Sequence, residues 1–318
     1  MIMESVFNPN EEPMTRQDLV AWVERRAAAM NRHDVDALTR LFAPECSVDS
    51  PTAGGTIHGL PAVDEIYRAW VSGFPDVTLS TDDLLIDGER LVWVARAAGT
   101  DTGGFMGLPP TGRSFSLPMV MFTTVRDGLI VSERRIYDFT GMLVQIGVLK
   151  ARPIEGTPPA VVPNPVGSPP IAHADAAMPR RDEIATLLSL RQRAWADRDS
   201  HALADQHSAD AVMDSHLAGR VQGRPQIADV YAAWFAAFPD SQLTIEETTV
   251  DGVHVAELST MNGTDTGGFL GLPPTHKPFR LRSAWLYTLH DGRFIHVRPI
   301  YDFTGMLVQI GAIKAKPQ

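Results

Sequence analysis

The spacing of hydrophobic residues divides each half of this 318-residue chain into a helical part and a strand part. In the first half, a helical period of about 3.6 predicts a helix that starts at a weak capping box, Thr15 to Asp18, and ends near Asn31. A short helix over residues 34–42 and a third one starting at Pro61 are predicted next. After residue 74 the period shortens to about two, which predicts strands. They are expected at residues 77–86, 90–99, 114–125 and 129–138, with Asp-Gly hairpin turns at residues 87–88 and 127–128. Helices followed by antiparallel strands indicate an α+β fold.

The second half repeats the first. Residues 136–147 and 300–311 both read IYDFTGMLVQIG, and residues 99–111 and 263–275 differ at one position. Both pairs are 164 residues apart, whereas short solenoid repeats would recur every 20–50 residues or so. The chain is therefore predicted to be a tandem repeat of one domain.

A proline-rich segment separates the two halves. Residues 151–180 contain eight prolines and show no apolar periodicity, which is typical of a semi-extended linker. We therefore predict a first domain at residues 1–150 and a second at residues 181–318. Each curved sheet is expected to wrap around helices as a cone with an open mouth, which suits a small-molecule pocket.

The composition of the chain limits the classes of molecule that it is expected to bind. The net charge of −10 and the lack of a basic patch argue against nucleic acid and anionic membranes. Cys46 is the only cysteine, and neither a signal peptide nor a membrane span is predicted, so we expect a cytoplasmic location. The chain has no HExxH or CxxC and no nucleotide-binding glycine motif, so neither a metal nor another cofactor is expected.

Asp138 and Asp302 are the leading catalytic candidates. Strand alternation places Asp138 on the same face as Arg134 and Ile136, and Asp302 on the same face as Arg298. An aspartate beside an apolar residue is expected to be partly desolvated, and burial raises its pKa toward a range useful for proton transfer. The alternative is that each aspartate caps the helix that follows it.

The glycine-rich block holds a second aspartate in each half, Asp101 and Asp265. One interpretation is an Asx turn between strands. The other joins these aspartates to the strand residues as two Asp–Arg–Asp sets at the pocket. The sets would be Asp101, Arg134 and Asp138, and Asp265, Arg298 and Asp302.

Aromatic residues are predicted to support the pocket. Tyr137 and Tyr301 lie on the strand face opposite the aspartates, where packing with a satisfied hydroxyl is expected. Trp70 and Trp234 lie on a helical stripe and are expected to belong to the core beside the pocket.

The two blocks together resemble a known family. The pattern G-T-x-T-G-x-F-x-G-x-P-P-T, followed by D-x-x-G-[LM]-L-x-Q-[LI]-G, is similar to the SnoaL-like polyketide cyclases (ester cyclases) of the nuclear-transport-factor-2-like (NTF2-like) superfamily. The resemblance implies two tandem cones, each with a mostly antiparallel sheet. It also implies cofactor-independent intramolecular aldol ring closure in secondary metabolism, with Asp138 and Asp302 as general acid/base.

Departures from the family leave the reaction open. Many relatives have histidine at the positions of Asp101 and Asp265 and at Ser50, and Pro299 replaces Arg135, so the two pockets need not be equivalent. Epoxide opening by the Asp–Arg–Asp sets is an alternative, because epoxide-opening relatives of this fold use such a set. Non-catalytic binding of a small molecule is another. The expected ligand is a small hydrophobic or polyketide-like molecule. The family's dimers suggest that the halves pack as an internal pseudo-dimer, with further homo-oligomers possible.

Overall fold

Two α+β domains of the same element order make up the protein, as seen in a computed structural model that describes residues 14–153, 180–215 and 219–317. Each domain contains a six-stranded, NTF2-like sheet with helices on its inner face. Among the described residues, no helix is long and apolar enough to cross a membrane.

Three helices precede most of the first sheet: α1 (Arg16–Asn31), α2 (Val35–Thr39) and α3 (Leu60–Gly73). The predicted capping box begins α1, because the Asp18 amide donates to Thr15 Oγ1 at 3.2 Å and the Thr15 amide donates to Asp18 Oδ2 at 3.0 Å. Helix α2 ends before residue 42, the predicted end, because the first strand already begins there.

The first sheet has the order β2-β1-β6-β5-β4-β3, in which only the β1–β6 pair is parallel. Its strands are β1 (Phe42–Ser50), β2 (Gly55–His58), β3 (Thr78–Asp87), β4 (Arg90–Thr100), β5 (Ser114–Arg126) and β6 (Leu129–Ile136). Helix α4 (Phe139–Gln145) and strand β7 (Leu149–Pro153) end the domain. The predicted Asp-Gly hairpins hold, since Gly88 and Gly128 adopt positive φ angles of 61° and 74°.

The second domain follows the same plan, with the sheet order β10-β11-β12-β13-β8-β9. Its helices are α5 (Arg181–Ala196), α6 (Ser200–Asp205), α7 (Arg224–Ala237) and α8 (Phe303–Gln309). Its strands are β8 (His207–Ser215), β9 (Gly219–Gln222), β10 (Gln242–Asp251), β11 (His254–Thr264), β12 (Pro278–His290), β13 (Arg293–Tyr301) and β14 (Ile313–Pro317).

The two faces of each sheet have different partners. The inner face packs on the helices of its own domain and forms that domain's core. The outer faces pack against each other in a third cluster, which we call the interdomain cluster. Its buried members are Leu85, Val92, Val94, Val120, Phe122, Ile136, Ala256, Leu258, Ala284 and Ile300. Burial on both faces explains why these strands are rich in hydrophobic residues at successive positions.

Polar contacts between the domains come in matching pairs. Arg16 binds Asp251 at 2.7 Å, and the equivalent Arg181 binds Asp87 at 2.6 Å. Strand β7 pairs with β14, so each domain donates its last strand to a shared two-stranded sheet. Residue i thus contacts j where j contacts i, which is the pattern of an isologous interface.

Two sequence expectations differ from the structure. Residues 151–153 belong to β7, although they were assigned to the linker, while the rest of that segment up to residue 179 lies outside the described residues. Strand β6 ends at Ile136, so Asp138 is not a strand residue but the N-cap of α4. The alternation argument for Asp138 was therefore wrong, because the chain leaves the sheet before reaching it.

Close backbone contact explains one glycine of the repeated block. The Gly103 amide donates to the carbonyl of Gly73 at the end of α3 at 3.1 Å, and a Cβ at Gly103 would overlap the carbonyl oxygen of Ser72.

We expect Gly103→Ala to lower the free energy of unfolding by about 1–3 kcal/mol through overpacking. Urea unfolding would measure this. Gly88→Ala is the control, because Gly88 has a positive φ but open space around it. A smaller loss in Gly103→Ala than in Gly88→Ala would contradict the packing argument.

Candidate functional site

Each cone contains a cavity between its helices and the inner face of its sheet. Both cavities are small, with a volume of about 30 Å³ each. Residues lining the first include Arg26, Met30, Tyr67, Trp70, Met121 and Arg135. Residues lining the second include Trp195, Tyr231, Trp234, Trp285, Pro299 and Tyr301. Trp70 and Trp234 therefore lie where the sequence analysis placed them, beside the cavities.

A buried ion cluster forms one wall of the first cavity. Glu133 on β6 accepts hydrogen bonds from Arg26 on α1, at 2.6 and 2.8 Å, and from Arg135 Nε at 2.7 Å. Thr123 Oγ1 donates to the same carboxylate at 2.9 Å. Strand alternation brings Glu133 and Arg135 to the inner face together.

All three charged groups of this cluster stay ionised. Burial alone would raise the pKa of Glu133, but the guanidinium groups of Arg26 and Arg135 lower it to about 2. Burial opposes the charge on both arginines, yet Glu133 and Tyr67 hold the pKa of each above its ordinary value. Two cations against one anion leave the cluster with a net charge of +1.

Tyr67 on α3 completes the cluster. Its hydroxyl oxygen accepts from Arg26 Nη2 and from Arg135 Nη2, both at 3.0 Å. Because the oxygen is the acceptor in both bonds, its own proton remains available to a group in the cavity. Tyr67 also lines that cavity, so it is a hydrogen-bond donor at the site.

The second domain keeps the buried arginine, which does not line the cavity there, and takes its carboxylate from another strand. Arg191 on α5 is the equivalent of Arg26, and Val297 replaces Glu133. The counter-ion is Glu257 on β11, 3.6 Å from Arg191, at the position that Trp93 occupies in the first domain. Tyr287 donates to Glu257 at 2.8 Å. The pair is electrically neutral.

Several buried donors near the second cavity have no hydrogen-bond partner among the described residues. They are Tyr231 Oη, Trp195 Nε1, Trp234 Nε1 and the three guanidinium nitrogens of Arg191. Burial raises the pKa of Tyr231, so its hydroxyl keeps its proton. A buried donor without an acceptor costs free energy, which a ligand with oxygen acceptors would recover.

Asp138 and Asp302 lie between the domains. Each carboxylate caps its own helix, with the amides of Gly141 and Gly305 donating at 2.8 Å. Each also accepts from a threonine of the other domain: Thr304 Oγ1 donates to Asp138, and Thr140 Oγ1 donates to Asp302, both at 2.8 Å. Each aspartate is therefore a helix cap and can also be a partly desolvated acid, so the two interpretations do not exclude each other.

The two carboxyl groups are neighbours. Burial, a hydrogen bond to Asp302 and the negative charge of Asp302 raise the pKa of Asp138 well above its ordinary value. Asp138 also lies close to Tyr301, whose pKa is raised first by burial and then by the charge of Asp138. Since Tyr301 lines the second cavity, the carboxyl pair is connected to that cavity through one side chain.

The structure does not bring the proposed Asp–Arg–Asp sets together. Both carboxylate oxygens of Asp101 accept hydrogen bonds within its own loop, from the Gly104 amide at 3.2 Å and from Thr111 Oγ1 at 2.8 Å. Asp265 repeats this with Gly268 and Thr275. The Asx-turn interpretation therefore describes both residues.

The arginines of those sets face the other domain. Arg134 donates to Glu247 at 2.8 Å across the interface. Burial lowers the pKa of Arg298, although the nearby carboxylates of Asp82 and Asp214 oppose this effect. Tyr137 is buried, and its hydroxyl contacts Ser50 and Thr52, as expected for a packed tyrosine.

Sequence analysis missed the ion clusters, although a signal was present. On α1 the buried stripe runs Leu19, Trp22, Val23, Arg26 and Met30, so an arginine occupies a core position. Arg191 occupies the same place on α5. A charged residue at the centre of an apolar stripe, present in both copies, indicates a buried partner of opposite charge.

Comparison with known proteins agrees with the fold. The family model described as SnoaL-like polyketide cyclase matches residues 21–146 and again residues 185–310. Among curated proteins, none matches the chain.

Similar solved structures each correspond to one copy of the domain. TsrD from Streptomyces laurentii is 27% identical, with 42% of this chain and 98% of that one covered and a TM-score of 0.38. A putative SnoaL-like polyketide cyclase from Jannaschia sp. CCS1 is 26% identical, with 43% and 97% covered and a TM-score of 0.40. IdmH, a putative polyketide cyclase from Streptomyces antibioticus, is 31% identical, with 41% and 98% covered and a TM-score of 0.35.

Removing the carboxylate of the first cluster tests its charge balance. We expect Glu133→Gln to lower the free energy of unfolding by about 3–5 kcal/mol, because two buried guanidinium groups would lose their counter-ion. The folded-state pKa of Glu133 is depressed from 4.5 to about 2. Its stabilisation is therefore present above about pH 4.5 and is lost as the pH falls toward 2.

Urea unfolding between about pH 2 and pH 7, which covers that window, measures both effects. Glu89→Gln is the matched control, because Glu89 forms an exposed pair with Arg126 and is expected to change stability by less than about 0.5 kcal/mol. Equal losses in the two variants would contradict the assignment of Glu133 as the buried counter-ion.

Proposed function

Because this chain belongs to the SnoaL-like polyketide cyclase family, we propose that it is a cyclase-type enzyme that acts on a polyketide-like small molecule. The proposed reaction is an intramolecular aldol-type ring closure by acid/base catalysis, without a cofactor. In this proposal the substrate binds in a cone cavity with its activated carbon at the end next to Tyr301, the lining residue that lies close to Asp138, and Asp138 and Asp302 supply the group that transfers protons.

One observation carries the assignment of Asp138. Its carboxyl is half-buried and hydrogen-bonded to the carboxyl of Asp302, and its pKa is raised well above the ordinary value. Two hydrogen-bonded carboxyls favour holding one proton between them. Such a pair offers both an acid and a base at the same pH, which is what an aldol closure requires.

The proton balance is simple. The ionised oxygen of the pair takes a proton from the activated carbon of the substrate, and the resulting enolate carbon forms a bond to a ketone carbon. The ketone oxygen becomes an alkoxide and takes the proton held by the pair. The pair ends with the same number of protons with which it began.

The cavities supply orientation and oxyanion donors in this proposal. Tyr67 in the first cavity and Tyr231 in the second present hydroxyl protons that are not donated to any acceptor among the described residues. Donors placed in a water-poor cavity stabilise the negative charge that develops on a carbonyl oxygen.

A second candidate function is non-catalytic binding of a small molecule. The observation that favours it is the reciprocal contact between each aspartate and a threonine of the other domain. That contact gives both aspartates a structural role that needs no substrate. The epoxide-opening alternative has no such support, because Asp101 and Arg134 are engaged elsewhere.

The paired contacts between domains also support a proposal on assembly. We propose that the chain is an internal pseudo-dimer, in which the second domain takes the place of a second subunit. The apolar interdomain cluster and the matched Arg16–Asp251 and Arg181–Asp87 pairs support it.

Two variants separate catalysis from structure at Asp138. Asp138→Asn keeps a good N-cap and an acceptor for Thr304, but it cannot exchange protons. We expect this variant to lower kcat on a polyketide ester by about 10²–10⁴-fold, because the proton-transferring group is lost. Thr304→Val removes the interdomain hydrogen bond and leaves the carboxyl in place, so kcat is expected to stay close to wild type.

Asp302→Asn and Thr140→Val repeat the pair of variants in the other half. Full turnover in the double Asp138→Asn, Asp302→Asn variant would end the acid/base proposal and leave the binding function. Stability gives an independent readout. A raised carboxyl pKa means that its stabilising effect is present below about pH 3.8 and declines as the pH rises through the raised value. The asparagine variant should therefore gain stability relative to wild type as the pH rises.

A further inference from the structure

The two cavities differ in charge. The first has Arg26 and Arg135 against Glu133 alone, an excess of one positive charge in a wall that is almost fully buried. An uncompensated charge in such a place is costly unless a partner of opposite sign reaches it. The other lining residues named above are apolar or aromatic, so the protein itself supplies no second anion in that wall.

The second domain has lost this excess. Pro299 stands at the position of Arg135, and Arg191 is balanced by Glu257. Aromatic side chains fill the corresponding space, with Trp195 in place of Met30 and Trp285 in place of Met121. The second cavity is therefore neutral and aromatic.

Arg135 has a free side toward the first cavity. Its Nε bonds Glu133 and its Nη2 bonds Tyr67, while its Nη1 makes no hydrogen bond to a described residue. Arg135 and Tyr67 both line the cavity and are joined by the Nη2 bond, so Nη1 and the hydroxyl of Tyr67 lie close together at one wall. Together they form a donor set for one anionic oxygen group.

We infer that the first cavity selects a ligand with an apolar body and one carboxylate, while the second accepts a neutral aromatic ligand. Arg135 is the residue that determines this difference. The inference deepens the proposed function, since it names the class of ligand for one of the two cavities. It concerns binding, so it is measured without turnover.

Calorimetric titration of the full chain tests the inference with two probes of the same shape, 2-naphthoate and the neutral 2-naphthamide. We expect the first cavity of wild type to bind 2-naphthoate at least about tenfold more tightly than it binds 2-naphthamide, while the second cavity binds 2-naphthamide. Arg135→Gln is expected to abolish that preference, and Arg135→Lys to retain most of it, because the lysine keeps the charge. Arg126→Gln removes a positive charge from an exposed pair and is expected to leave both affinities unchanged.

Several outcomes would overturn the inference. These are equal affinities of the first cavity of wild type for the two probes, no binding of 2-naphthoate in the millimolar range, or unchanged 2-naphthoate binding in Arg135→Gln. Thermal unfolding and 2-naphthamide binding check that each variant is folded, and Arg135→Lys tests the role of the charge if Arg135→Gln does not fold.

Asp138→Asn is expected to bind both probes like wild type. Loss of its turnover with an unchanged charge preference, or the reverse, separates the failure of one proposal from that of the other.

Discussion

Packing of the two outer sheet faces against each other is the constraint on which the rest of the structure depends. The interdomain cluster buries residues such as Val94, Phe122 and Leu258 that a single domain would expose. Because the outer faces cover each other, the two cavities lie at the inner faces of the cones. The same contact brings the N-termini of α4 and α8 together, which is why Asp138 and Asp302 meet. The identical blocks around them follow from this contact, since a change in one copy alters the surface that the other copy must match.

A buried arginine on the first helix is the second constraint, and it shows how far the copies have drifted apart. Arg26 and Arg191 occupy the same position, but their carboxylates come from β6 in one domain and from β11 in the other. Both domains therefore place a carboxylate beside this buried arginine, but they do so from different strands. A buried cation needs an opposite charge close by, and several inward positions on neighbouring strands can supply one. The counter-ion of the buried arginine can therefore come from different sequence positions in the two domains.

Local signals predicted most of the fold. The capping box at Thr15, the Asp-Gly hairpins and the change of period after residue 74 each depend on residues close together in the chain. The interdomain contacts were not predictable in this way, because Asp138 and Thr304 are far apart in sequence. The same holds for the partner of Arg26, although its position in an apolar stripe indicated that a partner exists. The alternation argument was wrong at Asp138 because a strand pattern does not identify the residue at which the chain leaves the sheet.

Duplication within one chain relaxes a restriction that a symmetric dimer imposes. In a dimer of identical subunits, a substitution in one cavity appears in both. Here Pro299 altered the second cavity while Arg135 stayed in the first. The interface retained its reciprocal contacts, because both copies still contribute to it, whereas each cavity is bounded by a single domain. Selection on the interface therefore acts on pairs of residues, and selection on each cavity acts on one domain alone. That difference explains why the blocks at the interface are identical while the walls of the cavities, Glu133 against Val297 and Trp93 against Glu257, are not.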